Sequence, residues 1–111
     1  MTALHPSLTI EKWQTFSQRD QILNIAAEFS RIRNLVPQKQ SKAVKECYER
    51  ALDLIDLLKS DLRWRHGLKE VCRFREFLAE LYLNDAENLL RSSELERILI
   101  YWNGEAAAAI G

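Results

Sequence analysis

Three glycines and two prolines in 111 residues leave too few turn formers for a β-rich, turn-dense fold. No global charge is present either. Sixteen basic residues balance sixteen acidic ones, so no overall field draws in nucleic acid or an anionic membrane. Cysteine and histidine are scarce: Cys47, Cys72, His5 and His66 lie far apart and form no zinc-binding spacing. The only glycines, Gly67, Gly104 and Gly111, make no phosphate-cradling loop. The uncharged stretches are too short to cross a bilayer, and Met1 to Ile10 lacks the basic start and apolar run of a secretory signal. These absences predict no cofactor, no metal, no membrane contact and a cytoplasmic setting, where both cysteines stay free thiols.

What the chain has in quantity is helical periodicity. Apolar residues make up 47% and charged residues 29%, ordinary values for a chain that buries one core. Thr9 to Phe16 reads as a short amphipathic turn or helix, and Ser17 as a fresh N-cap with Asp20 placed to reach back to a free amide. Ile22, Ile25, Phe29, Ile32 and Val36 then recur at spacings of three and four until Pro37 interrupts. The second helix, about 42–60, repeats the pattern with Val44, Cys47, Ala51, Leu54 and Leu58. A basic connector, 62–67, leads to a third helix at about 68–83. Asn84 and Asp85 end it, and a short turn holding Leu89 and Leu90 follows. Ser93 with Glu96 has the spacing of a capping box, so the last stripe (Leu95, Ile98, Leu99, Trp102) is expected to start there and stop at Asn103-Gly104. The expected fold is all-α: one domain, 1–111, an antiparallel up-and-down bundle of three main helices with short terminal helices. Residues 1–16 form an N-terminal arm in this reading, and 104–111 an alanine-rich tail.

The third helix carries the anomalies. Leu68, Val71, Cys72, Leu78, Ala79, Tyr82 and Leu83 define its expected core side, and Arg75 falls among them. A guanidinium on a dry face stays charged and needs a partner. Glu28 on the first long helix is the preferred one; an anion contact in a groove and snorkelling to solvent are the alternatives. Phe74, Phe77 and Leu81 fall on an adjoining sector, apolar surface in excess of what one seam needs. They are the expected partner interface.

Two further clusters invite chemistry. Arg63-Trp64-Arg65, with Lys69 beyond, places an aromatic among cations, as a nucleic-acid contact requires. Asp61, Glu70 and Glu76 dilute that charge. Glu46, Glu49, Asp53 and Asp56 resemble magnesium-binding carboxylate pairs, but all four lie on one helix opposite its seam, which reads as a solvated acidic face. No nucleophile with a neighbouring base is legible, so no catalytic residue is assigned.

Three runs carry a resemblance: Gln21 to Arg31, Glu49 to Asp56 and Leu68 to Glu76. They look like a small prokaryotic all-helical family without assigned activity, over roughly residues 15–103. The resemblance implies an up-and-down bundle. A looser similarity is to HEPN-type bundles, whose ribonucleases place a histidine four to six residues after an arginine. Here His66 follows Arg63 by three and Arg65 by one, so that motif is missing. The likeness then implies a non-catalytic binding subunit. The functional expectation is a non-enzymatic interaction module, self-associating or docking another protein. The alternative is a nucleic-acid or nucleotide-binding subunit of a toxin–antitoxin-like system.

Overall fold

Three of the five α-helices begin where a side chain satisfies a free amide; the helices that follow Gln40 and Gly67 have no such side-chain cap. In the computed structural model, which describes residues 8–103, Thr9 Oγ1 accepts from the Lys12 amide and opens α1 (Ile10–Thr15). Ser17 Oγ accepts from the Asp20 amide at 3.0 Å and opens α2 (Gln18–Leu35). The Asp20 carboxylate accepts from Arg19, its sequence neighbour. The first seven residues of the N-terminal arm and the alanine-rich tail lie outside the described residues.

α2 leaves through a tight reversal. The Gln40 amide reaches back to the Leu35 carbonyl and the Lys39 amide to that of Val36, with Lys39 in the left-handed region at φ 58°. That is a Schellman-type stop with lysine where glycine is favoured. Pro37 sits inside this turn, where its missing amide is tolerated. α3 (Ser41–Ser60) follows, then Asp61, whose Oδ1 caps a 3-10 turn over Leu62–Gly67. α4 (Leu68–Asn84) and α5 (Leu89–Ile100) complete the chain. The described residues are all-α, with no strand among them.

Where the sequence predicts three main helices, four of 12 residues or more are present beside the six-residue α1. The fourth is α5, which starts at Leu89 and not at Ser93. Its N-cap is Asn88, whose side chain accepts from the Arg91 amide at 3.1 Å. Glu96, assigned by spacing to a capping box, is an ion partner of Arg33 on α2.

α2 packs on α3, α3 on α4, and α5 on α2 and more lightly on α4. Polar pairs fix the register: Gln21 with Asp61 and Glu28 with Arg50 between α2 and the α3 side, Asp56 with Arg75 and Glu49 with Tyr82 between α3 and α4. The buried apolar residues form one cluster running from Trp13 to Ile100. Ile22, Ile25, Ile55, Leu58, Leu78 and Leu99 are fully enclosed in it, each contributing about 1.5–3 kcal/mol of burial.

α4 departs most from expectation. Its buried residues are Val71, Phe74, Leu78 and Leu81, while Leu68 and Leu83 are exposed. The buried face is turned by about a quarter of a helical turn from the predicted one. Apolar residues cover so much of this helix that periodicity permits either orientation. The neighbours choose: Phe74 meets Phe29 on α2 and Trp102 beyond α5, and Tyr82 meets Tyr48 on α3.

Candidate functional site

The rotation of α4 divides the predicted interface. Phe74 is core, with its ring 5.0 Å from that of Trp102 in an edge contact. Leu81 is 7% exposed. Phe77 alone of the three faces outward, with 53% of its surface exposed. The excess apolar surface inferred from the sequence is therefore mostly spent within the chain.

Phe77 nevertheless lines a groove. Light packing between α4 and α5 leaves a groove of about 400 Å3. Leu81 and Leu95 form its floor, and Phe77 and Ile98 its exposed walls. Ile98, which the sequence pattern assigns to the buried stripe, is 50% exposed. The rim is polar: Glu80, Asn84 and Asp85 from the α4 side, Arg91 and Glu94 from α5. Among the described residues Glu80 and Glu94 have no salt bridge, and Asp85 accepts from Asn88 at 2.8 Å. The groove is thus an apolar trough with an open rim, on which three of the five polar residues are acidic.

Arg75 is neither dry nor paired with Glu28. Its Nε and Nη2 donate to the two carboxylate oxygens of Asp56 on α3, at 2.6 and 3.1 Å. With about a third of the arginine and half of the aspartate side chain in solvent, this forked pair resembles surface bridges worth about 0–1 kcal/mol. Once α4 is turned, position 75 lies at the edge of the seam beside α3. Glu28, by contrast, is buried, and accepts from Arg31 at 2.6 Å and from Arg50 at 3.1 Å. Arg50 also donates to Cys47 Sγ, and burial raises that thiol above its ordinary value, with the Glu28 charge adding to the effect.

The basic cluster is similarly divided. Trp64 is buried, and its Nε1 donates to Gln21 Oε1 at 2.7 Å, so its ring is not offered to a base. Arg63 is committed to Asp61 and to the Gln14 carbonyl. Arg65 and Lys69 remain exposed, and with His66 and Arg73 they line a shallow depression of about 590 Å3 at the start of α4.

The acidic side of α3 is not simply solvated. Glu49 accepts from the Tyr82 hydroxyl at 2.6 Å, which raises the phenol's pKa, and Asp56 holds Arg75. Half-buried Asp53 is raised by burial and then by its neighbours Asp56 and Glu49. Among the described residues no group of three or more His, Cys, Asp or Glu side chains is arranged to hold a metal ion.

One assembly has no periodic signature in the sequence. Gln21, fully buried, donates from Nε2 to the Trp13 carbonyl at 3.0 Å and to Asp61 Oδ2 at 2.9 Å, while its oxygen takes the Trp64 indole. One amide thus ties α1, α2, the end of α3 and the 3-10 turn. Gln21 stands one residue before the Ile22–Val36 seam, and its spacing alone does not mark it.

Comparison of the chain with protein-family models, curated proteins and solved structures finds no match. No helix among the described residues is long and apolar enough to cross a membrane.

Proposed function

We propose that the chain is an up-and-down helical bundle acting as a non-enzymatic docking module, with the α4–α5 groove as its recognition surface. The observation that carries this is the pairing of half-exposed Phe77 and Ile98 over a floor of Leu81 and Leu95. Two large apolar side chains facing solvent across one trough are costly in isolation and useful when an amphipathic helix covers them. The interhelical pairs at 21/61 and 28/50, and at 56/75 and 49/82, support the antiparallel arrangement of α2, α3 and α4.

Selection of random helical peptides displayed on phage tests the module. The expected result is enrichment of peptides with apolar anchors at helical spacing, retained by the wild-type chain and lost by Phe77→Glu or Ile98→Glu. Circular dichroism should show both variants folded, because both positions are half exposed. If both variants unfold, these residues are core and the groove is not a docking surface. If no peptide is enriched and the chain does not self-associate, the reading fails.

A second reading, binding of a nucleic-acid backbone, rests on exposed Arg65, His66, Lys69 and Arg73 sharing one depression. Its signature is binding that weakens steeply with salt, and absence of RNA or DNA binding at low salt removes it.

A further inference from the structure

The exposed side of α4 has a charge order that is unfavourable for a helix standing by itself. Lys69 and Arg73 lie in its first half, and Glu76 and Glu80 in its second. Each pair is like-charged at the i,i+4 spacing, where side chains are neighbours; Arg73 also has Glu70 and Glu76 at i,i+3, but forms a salt bridge with neither. Helix dipoles favour the reverse order, acidic first and basic last. Glu70 partly answers the dipole at the start, but the last turn holds no basic residue. All four charges are exposed, and none forms a salt bridge among the described residues. At 100° per residue, Arg73, Phe77, Glu80 and Asn84 fall within a strip about 60° wide, of which Phe77, Glu80 and Asn84 line the groove and Arg73 lies one turn before it.

We infer that the groove's partner is a second copy of the chain, docked with its α4 antiparallel to the first across a two-fold axis beside Phe77. The inference rests on the docking-module reading and names its occupant. An antiparallel α4 presents the opposite charge order and the opposite dipole, which this strip lacks. With the axis at Phe77, Arg73 of each copy reaches Glu80 of the other, and Lys69 reaches Asn84 and Asp85. The two Phe77 rings meet at the centre and are covered by Ile98 from both sides. A two-fold interface must be self-complementary, and a strip that is basic, then aromatic, then acidic meets that condition with its own copy. An unrelated helix satisfies it only by carrying the same pattern.

Charge exchange tests the geometry. Light scattering over a tenfold range of concentration should give the wild-type chain twice its 13.0 kDa mass. Arg73→Glu places two glutamates against each other in each half of the interface, and Glu80→Arg places two arginines there. Each should raise the dimer dissociation constant by about tenfold or more while helicity is unchanged. Mixed in equal amounts, the two variants should form a heterodimer, because both of its cross pairs are then opposite in sign. The inference is overturned by a wild-type monomer throughout the range, by single variants that dimerise normally, or by a mixture that stays monomeric. A monomer that still selects helical peptides through Phe77 sinks only the self-docking. A monomer that selects none sinks the docking module as well.

Discussion

Four hydrogen bonds converge on the Asp61 carboxylate. The Arg63 amide and Nε reach Oδ1 at 3.0 and 3.1 Å, and Arg63 Nη2 and Gln21 Nε2 reach Oδ2 at 2.7 and 2.9 Å. These bonds, led by those from Arg63, hold the carboxyl down at about 2 against the opposing effect of burial. A folded-state pKa below the ordinary 3.8 means that folding favours the ionised form. The contribution is therefore complete above that ordinary value and is lost as pH falls through the folded pKa. It amounts to about 2 kcal/mol. Urea unfolding of the wild type and Asp61→Asn at neutral pH and near pH 2 checks this. The wild type's advantage over the variant should shrink by about 2 kcal/mol at the acid end. An advantage independent of pH would mean that the bonds to Asp61 do not depend on its charge. The same residues explain what the sequence concealed at this scale. Arg75 stands out in a list of apolar neighbours and proves an edge residue with a half-exposed partner, whereas Gln21 and Asp61 look ordinary and hold four elements together. Spacing reports which face a residue occupies, and it does not report whether a polar group there finds a partner.

The elements themselves were legible to different depths. α2 and α3 follow their apolar spacing to within a residue or so because each has one dominant stripe. The length of α4 is legible but its orientation is not, since apolar side chains surround most of it. The spacing places the start of α5 too late, because Ser93 and Glu96 imitate a helix start while Asn88 performs that role. The difference is measurable. Asn88→Ala removes the acceptor for the Arg91 amide and should cost about 1 kcal/mol in thermal or urea unfolding. Ser93→Ala, inside the helix, should be neutral or slightly stabilising, since alanine has the higher helix propensity. The opposite order of effects would return the helix start to Ser93. The result also bears on the groove, because Arg91 and Glu94 reach its rim only if the helix already exists at those positions.

At the scale of the whole molecule, the groove exists because α4 and α5 are joined firmly at one end and loosely elsewhere. Four rings form the joint: Phe29 lies 6.4 Å from Phe74, Phe74 lies 5.0 Å from Trp102, and Trp102 lies 6.4 Å from Trp64. They connect α2, α4, the residues just past α5 and the 3-10 turn. The groove residues farther along α4, Leu81 and Asn84, face Arg91 and Leu95 without such an aromatic bridge. A double-mutant cycle separates the joint from simple burial. Phe74→Leu and Trp102→Leu should each destabilise the fold. The double variant should lose about 0.5–1.5 kcal/mol less than their sum, the amount expected of an edge-to-face ring pair beyond its buried area. Strict additivity in urea unfolding would mean that the rings share a core without acting on each other. The spacing of α4 and α5, and with it the width of the groove, would then be set by the aliphatic floor of Leu81 and Leu95 instead of by the aromatic joint.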